Sequence, residues 1–242
     1  MKDFLVDIVN HTLPIAITLV KITGDDTSTV VEAIADDKSV VIKGTFKNTN
    51  VDFKGVFGMP NLTKLNTILN IPEYKENAQI VLVKKDKNGV EVPDSIHFEN
   101  ATGDFRNDYR FMSSEVINEK LKSSKFKGVN WNVTFEPTIA NIQRFKFQLN
   151  ANSEETVFIA KTDGTDLKFY FGDHSSHAGN FVFHTGVTGT LTKGWCWPTV
   201  QFLSILNLAG DKTVKFSDDG ASQITVDSGL IEYTYILPAQ SK

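Results

Sequence analysis

Leu65-Asn66-Thr67-Ile68-Leu69-Asn70-Ile71 returns later in the chain as Phe202-Leu203-Ser204-Ile205-Leu206-Asn207-Leu208, at a constant offset of 137 residues (202 − 65). Three positions are identical and three more are conservative. Both segments carry apolar residues at helical spacing: Leu62, Leu65, Ile68 and Leu69 in the first, Val200, Leu203 and Leu206 in the second. Asn61, after Pro60, supplies an N-cap side chain for one helix, and the other begins at Thr199 after Pro198. The surroundings repeat too. Each segment follows a glycine-containing aromatic stretch that ends in proline, Gly55-Val56-Phe57-Gly58-Met59-Pro60 and Gly194-Trp195-Cys196-Trp197-Pro198. Each leads into a strand, a turn and two further strands, the first copy being longer by the hairpin from Lys84 to Pro93. The repetition predicts two similar domains in tandem.

Outside these helices most of the chain alternates with the two-residue period of half-buried strands. Val40-Val41-Ile42, Ile80 to Val83, Val157-Phe158-Ile159, Leu167 to Phe171 and Tyr233 to Leu237 are the clearest runs. Asn88-Gly89, Asp163-Gly164 and Asp219-Gly220 supply turn chemistry between them. Two more short helices are expected: one from Asp3 to Asn10, with Phe4, Leu5, Ile8 and Val9 on one side, and one from about Thr138 that aligns Ile139, Ile142, Phe145 and Leu149. Helices of two or three turns are marginal alone, so each must lie against a sheet. The fold class is α+β, with domains over 1–112 and 131–242 and a polar connector over 113–130 that carries Lys120, Lys122, Lys125 and Lys127.

Composition bounds the function. With 40% hydrophobic and 22% charged residues among 242, the chain is of the folded globular kind, and 18 phenylalanines favour strands and filled cores. A net charge of −4 excludes indiscriminate binding of nucleic acid, although a face that concentrates the 25 Lys and Arg is compatible with DNA. Cys196 is the single cysteine, which fits a reducing compartment. The apolar run from Leu13 to Val20 is too short to span a membrane and lacks a signal-peptide layout, so a soluble, cytoplasmic protein is expected.

No phosphate-binding loop, nucleophile elbow or His-Glu-x-x-His helix is present, and no nucleophile, base and orienting group assemble, so no enzyme and no cofactor are expected. Asp173, His174 and His177, with His184 nearby, are the best metal-binding candidates, but the first three sit between Gly172 and Gly179 in what reads as a solvated polar turn, so no metal site is expected. The carboxylates of Asp25, Asp26, Asp36, Asp37, Asp218 and Asp219 fall at turns, where they bond the backbone. Trp195 and Trp197 flank Cys196 on an expected strand and would share one face, either as a sugar-binding platform or as packed core.

Pro198 to Leu208, then Thr213-Val214-Lys215-Phe216-Ser217 with Asp219-Gly220, then Ser228-Gly229-Leu230-Ile231-Glu232-Tyr233-Thr234-Tyr235-Ile236-Leu237-Pro238-Ala239 resemble the last helix, hairpin and final strand of the DNA sliding clamp family. The likeness is closest to the processivity clamps of tailed bacteriophages, and more distant to proliferating cell nuclear antigen. The chain end reads Leu-Pro-Ala where the family has a Leu-Ala-Pro-like order, and the first domain matches mainly over Val51 to Ile71. The resemblance implies a ring of three subunits joined head to tail, with the short helices lining a hole that admits duplex DNA. It also implies partners: double-stranded DNA without sequence preference, a replicative DNA polymerase and an ATP-driven clamp loader.

On that pattern the DNA-facing positions are Lys64, Asn66 and Asn70 in the second helix and Asn141, Arg144, Lys146 and Gln148 in the third. These faces hold no Asp or Glu despite the acidic chain, which suits sliding contact with phosphates. Lys and Arg are also simply good helix formers on solvated faces. The positions matching the family's partner-peptide pocket are Tyr235, Leu237, Pro238 and Ala239, with part of 113–130 as a lid. Two other classes compete with a clamp: a β-rich virion or tail structural protein, and a carbohydrate-binding module using Trp195 and Trp197.

Overall fold

The computed structural model describes residues 1–87, 89–121, 128–172 and 177–240. The chain divides into two compact units, one of residues 1–36, 42–125 and 228–233, the other of residues 37–41, 126–227 and 234–242. The units are thus interleaved in sequence, and the last strand contributes to both.

The first unit opens on α1 (Lys2–Thr12), followed by β1 (Val20–Gly24), β2 (Thr29–Ile34), β3 (Val41–Phe46) and β4 (Gly55–Met59), then α2 (Leu62–Leu69), β5 (Gln79–Lys87), β6 (Val90–Glu99), β7 (Arg106–Arg110) and α3 (Ser114–Lys120). In the second unit β8 (Val133–Phe135) precedes α4 (Ile139–Ala151), β9 (Val157–Asp163), β10 (Asp166–Phe171), β11 (Gly179–His184), β12 (Cys196–Pro198), α5 (Thr199–Leu206), β13 (Asp211–Ser217), β14 (Ala221–Asp227) and β15 (Ile231–Pro238). Helix, four strands, helix and three strands therefore occur twice. The 137-residue offset of the seven-residue match carries over to whole elements. It relates the starts of α1 and α4, the starts of β1 and β9, both ends of β2 and β10, and both ends of α2 and α5. Even the caps match: the N–H groups of Asn70 and Ile71 bond the carbonyls of Asn66 and Ile68, and those of Asn207 and Leu208 bond the carbonyls of Leu203 and Ile205.

All strand pairs given a register are antiparallel. The neighbour order β4-β1-β2-β3 in the first unit is repeated as β12-β9-β10-β11 in the second, and β5-β6-β7 form a separate sheet. β7 and β11 each end the sheet they belong to. No helix among the described residues is long and apolar enough to cross a membrane.

Each helix pair is held by burial on one side. In the first unit Leu5, Ile8 and Val9 of α1 and Leu62, Leu65, Ile68 and Leu69 of α2 are buried, as the spacing predicts. The second unit is filled with phenylalanine. The ring of Phe145 on α4 lies 5.2 Å from Phe158, 5.4 Å from Phe169 and 5.9 Å from Phe202. Phe169 stacks on Phe183 at 4.3 Å. Each such ring contributes about 1.5–3 kcal/mol by burial, and each favourable pair about 0.5–1.5 kcal/mol more.

Two helical faces differ from expectation. Ile139 is 80% exposed, and Phe145 is the single fully buried residue of α4, with Ile142 and Leu149 half-buried. In α5 the buried residues are Thr199, Phe202, Ile205 and Leu206, whereas Val200 is 69% exposed and Leu203 half-buried. Five of the eight α5 residues are apolar, so two stripes are open to it. Thr199 settles the rotation: it is buried at the first position and its hydroxyl donates to the carbonyl of Thr156 at 2.9 Å.

The stretch read as a connector also begins with structure. α3 packs on β4, with Ile117 fully buried. A Cβ on Gly58 would lie 2.8 Å from the Ile117 side chain, so the strand needs glycine there. Lys122, Lys125 and Lys127 lie outside the described residues. At the far end Asn130 and Asn132 bond the β13–β14 turn, through Ser217 Oγ to the Asn130 carbonyl at 2.7 Å and Asp218 N to Asn132 Oδ1 at 2.8 Å.

Candidate nucleic-acid interface

In the first unit, α1 packs beside α2. Asn61 caps α2 by accepting from the N–H of Lys64 at 3.2 Å. The buried stripe then leaves Thr63, Lys64, Thr67 and Asn70 exposed, and Asn66 half-buried. The amide of Asn70 donates to the carbonyl and side-chain oxygen of Asn66 at 2.8 and 2.9 Å. The outer face of α2 is therefore a row of hydroxyls and amides with one lysine at its edge. α1 is less uniform, since Asp3 is exposed.

In the second unit, α4 packs on α5 and β11. Its first turn is fixed by a capping box in which Thr138 and Asn141 bond reciprocally, the Thr138 N–H donating to Asn141 Oδ1 at 2.8 Å. Asn141 also lies 3.3 Å from His184 Nδ1, and Gln148 accepts from the amide of Asn152 through its carbonyl at 2.8 Å and its side chain at 3.2 Å. Both residues are half-buried and committed to structure. Arg144 and Lys146 are exposed, but at about 100° per residue they leave opposite flanks of the helix, roughly 160° apart. Arg144 leans over the ring of Phe181 on β11, 5.6 Å from its centroid. Between those flanks the outermost residues are Gln143, Phe147 and Asn150, with Phe147 67% exposed. On α5 the outer positions are Val200, Ser204 and Asn207, equivalent at the repeat offset to Thr63, Thr67 and Asn70. Lys64, Asn70, Arg144 and Lys146, named from helical spacing, are exposed. Thr63, Thr67 and Gln143 escape that reading, although the helical period alone finds them once the buried stripe is known.

At the chain end, Tyr235 and Leu237 are fully buried, Pro238 is exposed and Ala239 half-buried. The N–H of Ala239 donates to the Gly220 carbonyl at 2.9 Å, and that of Gln240 to the Cys196 carbonyl at 2.9 Å. Trp195, 38% exposed, joins this patch: its ring and the Ala239 methyl both lie within 3.6 Å of where a Cβ on Gly220 would sit. Its indole N–H donates to the Asp218 carbonyl at 2.8 Å. Burial raises the Asp218 carboxyl, but N–H bonds from Lys193 and Thr192 and the Thr192 hydroxyl outweigh it and hold the group below the usual carboxylate range. Trp197 is fully buried, so the two tryptophans do not form a sugar platform.

Asp173 and His174 lie outside the described residues. His177 is exposed, while His184 stacks on Phe135 at 4.8 Å, and its burial lowers its pKa. Among the described residues no group of three or more His, Cys, Asp or Glu is arranged to hold a metal ion.

No protein-family model matches the chain, and no curated protein matches it in sequence. Its fold does match solved structures. It is similar to PCNA of A. fulgidus, in a structure described as the C-terminal region of FEN-1 bound to that protein, with a TM-score of 0.71 at 11% identity over 100% of this chain and 97% of the other. It is similar also to PCNA from Thermococcus kodakaraensis, with a TM-score of 0.65 at 11% identity over 99% and 95% of the two chains. The chain has the fold of these two proteins from end to end.

Proposed function

We propose that this protein is a subunit of a homotrimeric sliding clamp that encircles duplex DNA and tethers a replicative DNA polymerase. The observation that carries the proposal is the end-to-end likeness of fold to PCNA, at a length that leaves no large part of either chain unmatched. The duplicated unit supports it, because two helix pairs per chain supply six in a trimer. The free ends of the β7 and β11 sheets support it as well, since strand pairing between copies would cover both edges.

The protein's work is topological and needs no catalysis. Its inward surface in this proposal is Thr63, Lys64, Asn66, Thr67 and Asn70 on α2 and Gln143 and Lys146 on α4, with Asn141 and Gln148 at the margin. Amides and hydroxyls bond phosphate oxygens directly or through water and release them easily, while few cations keep the electrostatic hold weak. Partner peptides dock on the patch of Trp195, Pro238 and Ala239, with Tyr235 and Leu237 shaping it from beneath. An ATP-driven loader opens the ring. The likeness of 228–239 to the chain end of phage clamps supports a clamp of the tailed-bacteriophage type, acting in the host cytoplasm.

A virion structural protein is the competing reading, and closure separates the two. A head-to-tail contact either closes into a ring or propagates as an open assembly. Sedimentation equilibrium is expected to give a species of three 26.9 kDa chains that grows no further with concentration. Open-ended growth supports the virion reading, and a monomer at every concentration removes the ring.

A further inference from the structure

We infer that Arg144 closes the ring by pairing with Asp104 of the next copy, and is not a DNA contact; the inference rests on the clamp reading above. The first unit shows the arrangement from which it follows. That unit is completed by residues 228–233 from the far end of the chain. Leu230 offers its carbonyl to the N–H of Lys47, just beyond β3, at 3.0 Å. The side chains of Ile231 and Tyr233 lie 3.0 Å from where a Cβ on Gly44 would sit, so this segment lies close against β3. From above, α1 clasps it with one side chain: Asp7 Oδ2 accepts from Ser228 Oγ at 3.0 Å and from the Tyr233 hydroxyl at 2.9 Å.

The second unit has the clasp without the strand. At the repeat offset Gly44 corresponds to Phe181 on β11, and Asp7 to Arg144 on α4. β11 ends its sheet. The Arg144 guanidinium is already held over the Phe181 ring at that edge, is exposed, and forms no ion pair among the described residues.

The repeat also identifies the missing strand. β15 is the last strand of the second copy, and its counterpart, β7, is the last strand of the first copy and ends its own sheet. The turn before β15 holds Ser228, the residue Asp7 clasps; the loop before β7 holds Asn100 to Phe105. In that loop Asp104 is exposed, and bonds from Thr102 and Asn100 keep its carboxyl below the usual range, so it is charged at neutral pH. Glu73, 3.2 Å from the Asn100 amide, adds a second negative charge. The clasp thus changes polarity between the two joints. Within a chain an acid on α1 takes hydroxyls, and between chains a cation on α4 takes a carboxylate. Its place over the Phe181 ring pre-orients the guanidinium for that pairing.

The test is sedimentation equilibrium on the full chain carrying Arg144→Asp, Asp104→Arg or both, with circular dichroism confirming that each variant is folded. Each single reversal is expected to raise the concentration needed for trimers at least about tenfold, and the double variant to bring it back to within about threefold of wild type. Arg144→Asp assembling like wild type overturns the inference while leaving the clamp reading intact. Weakened assembly in the single variants without recovery in the double overturns the pairing. A wild-type chain that is monomeric at every concentration overturns the clamp reading itself.

Discussion

Asp7 accepts a 2.9 Å hydrogen bond from the hydroxyl of Tyr233, 226 residues further along the chain. The same carboxylate lies 3.4 Å from His11 Nδ1, and the His11 ring stacks on Tyr233 at 4.6 Å. The first half of the sequence is therefore finished by its last strand. Asp7→Ala is expected to cost about 1.5–3 kcal/mol and Tyr233→Phe about 1 kcal/mol, since a hydrogen bond to a charged group is worth more than a neutral one. Urea unfolding of both variants and of the double variant is expected to give a coupling of at least about 0.5 kcal/mol. Strict additivity would show that the bond contributes nothing.

Phe145 alone anchors α4 by complete burial. Phe145→Ala is expected to cost about 3–5 kcal/mol, because the surrounding rings cannot collapse into the space it leaves. Ile139→Ala, at an 80% exposed site on the same helix, is expected to change stability by no more than about 0.5 kcal/mol. Denaturant melts of the two variants check this contrast, which the sequence pattern does not reveal because it puts both residues on one apolar stripe.

How far the sequence can be read follows from where its pattern is unambiguous. α2 is legible because four apolar residues in LTKLNTIL leave one stripe, and the Asn61 cap fixes its start. The rotation of α5 is not, because apolar residues on both sides offer two stripes and a buried hydroxyl makes the choice. α3 is hidden in a polar run where one isoleucine does all the burying. Of the candidate site, the exposed Lys64, Asn70, Arg144 and Lys146 follow from helical spacing. What spacing cannot show is that Asn141 and Gln148 are tied up in local bonds, or that Arg144 leans on a ring, Phe181, far away in sequence.

His97 sits between Asp108 at 2.8 Å and Glu99 at 3.2 Å, and hydrogen bonds, first to Asp108 and then to Glu99, raise its pKa. A raised folded-state value gives stability that is fully present below the unfolded value of about 6.5 and is lost as pH rises through the folded one. His184 works in the opposite sense: burial depresses its value, so its penalty appears as pH falls below about 6.5. An NMR titration is expected to place the His97 midpoint above about 6.5, and His97→Gln to remove the loss of stability above neutral pH. A midpoint at or below about 6.5 contradicts this.

Lys64 and Lys146 are the exposed cations assigned to the DNA-facing surface. Replacing each by alanine is expected to lower the slope of log affinity against log salt by about 0.9 for every phosphate that lysine neutralises, with the protein still folded and assembled. An unchanged slope in the double variant would remove these lysines from the DNA path.

Topological linkage to DNA is tested most directly on nicked circular DNA, with the cognate loader and ATP, washed at a salt concentration that removes electrostatic binding. The protein is predicted to stay with the circle and to slide off when one cut makes it linear. Equal retention on circular and linear DNA, or release from both, would contradict encirclement.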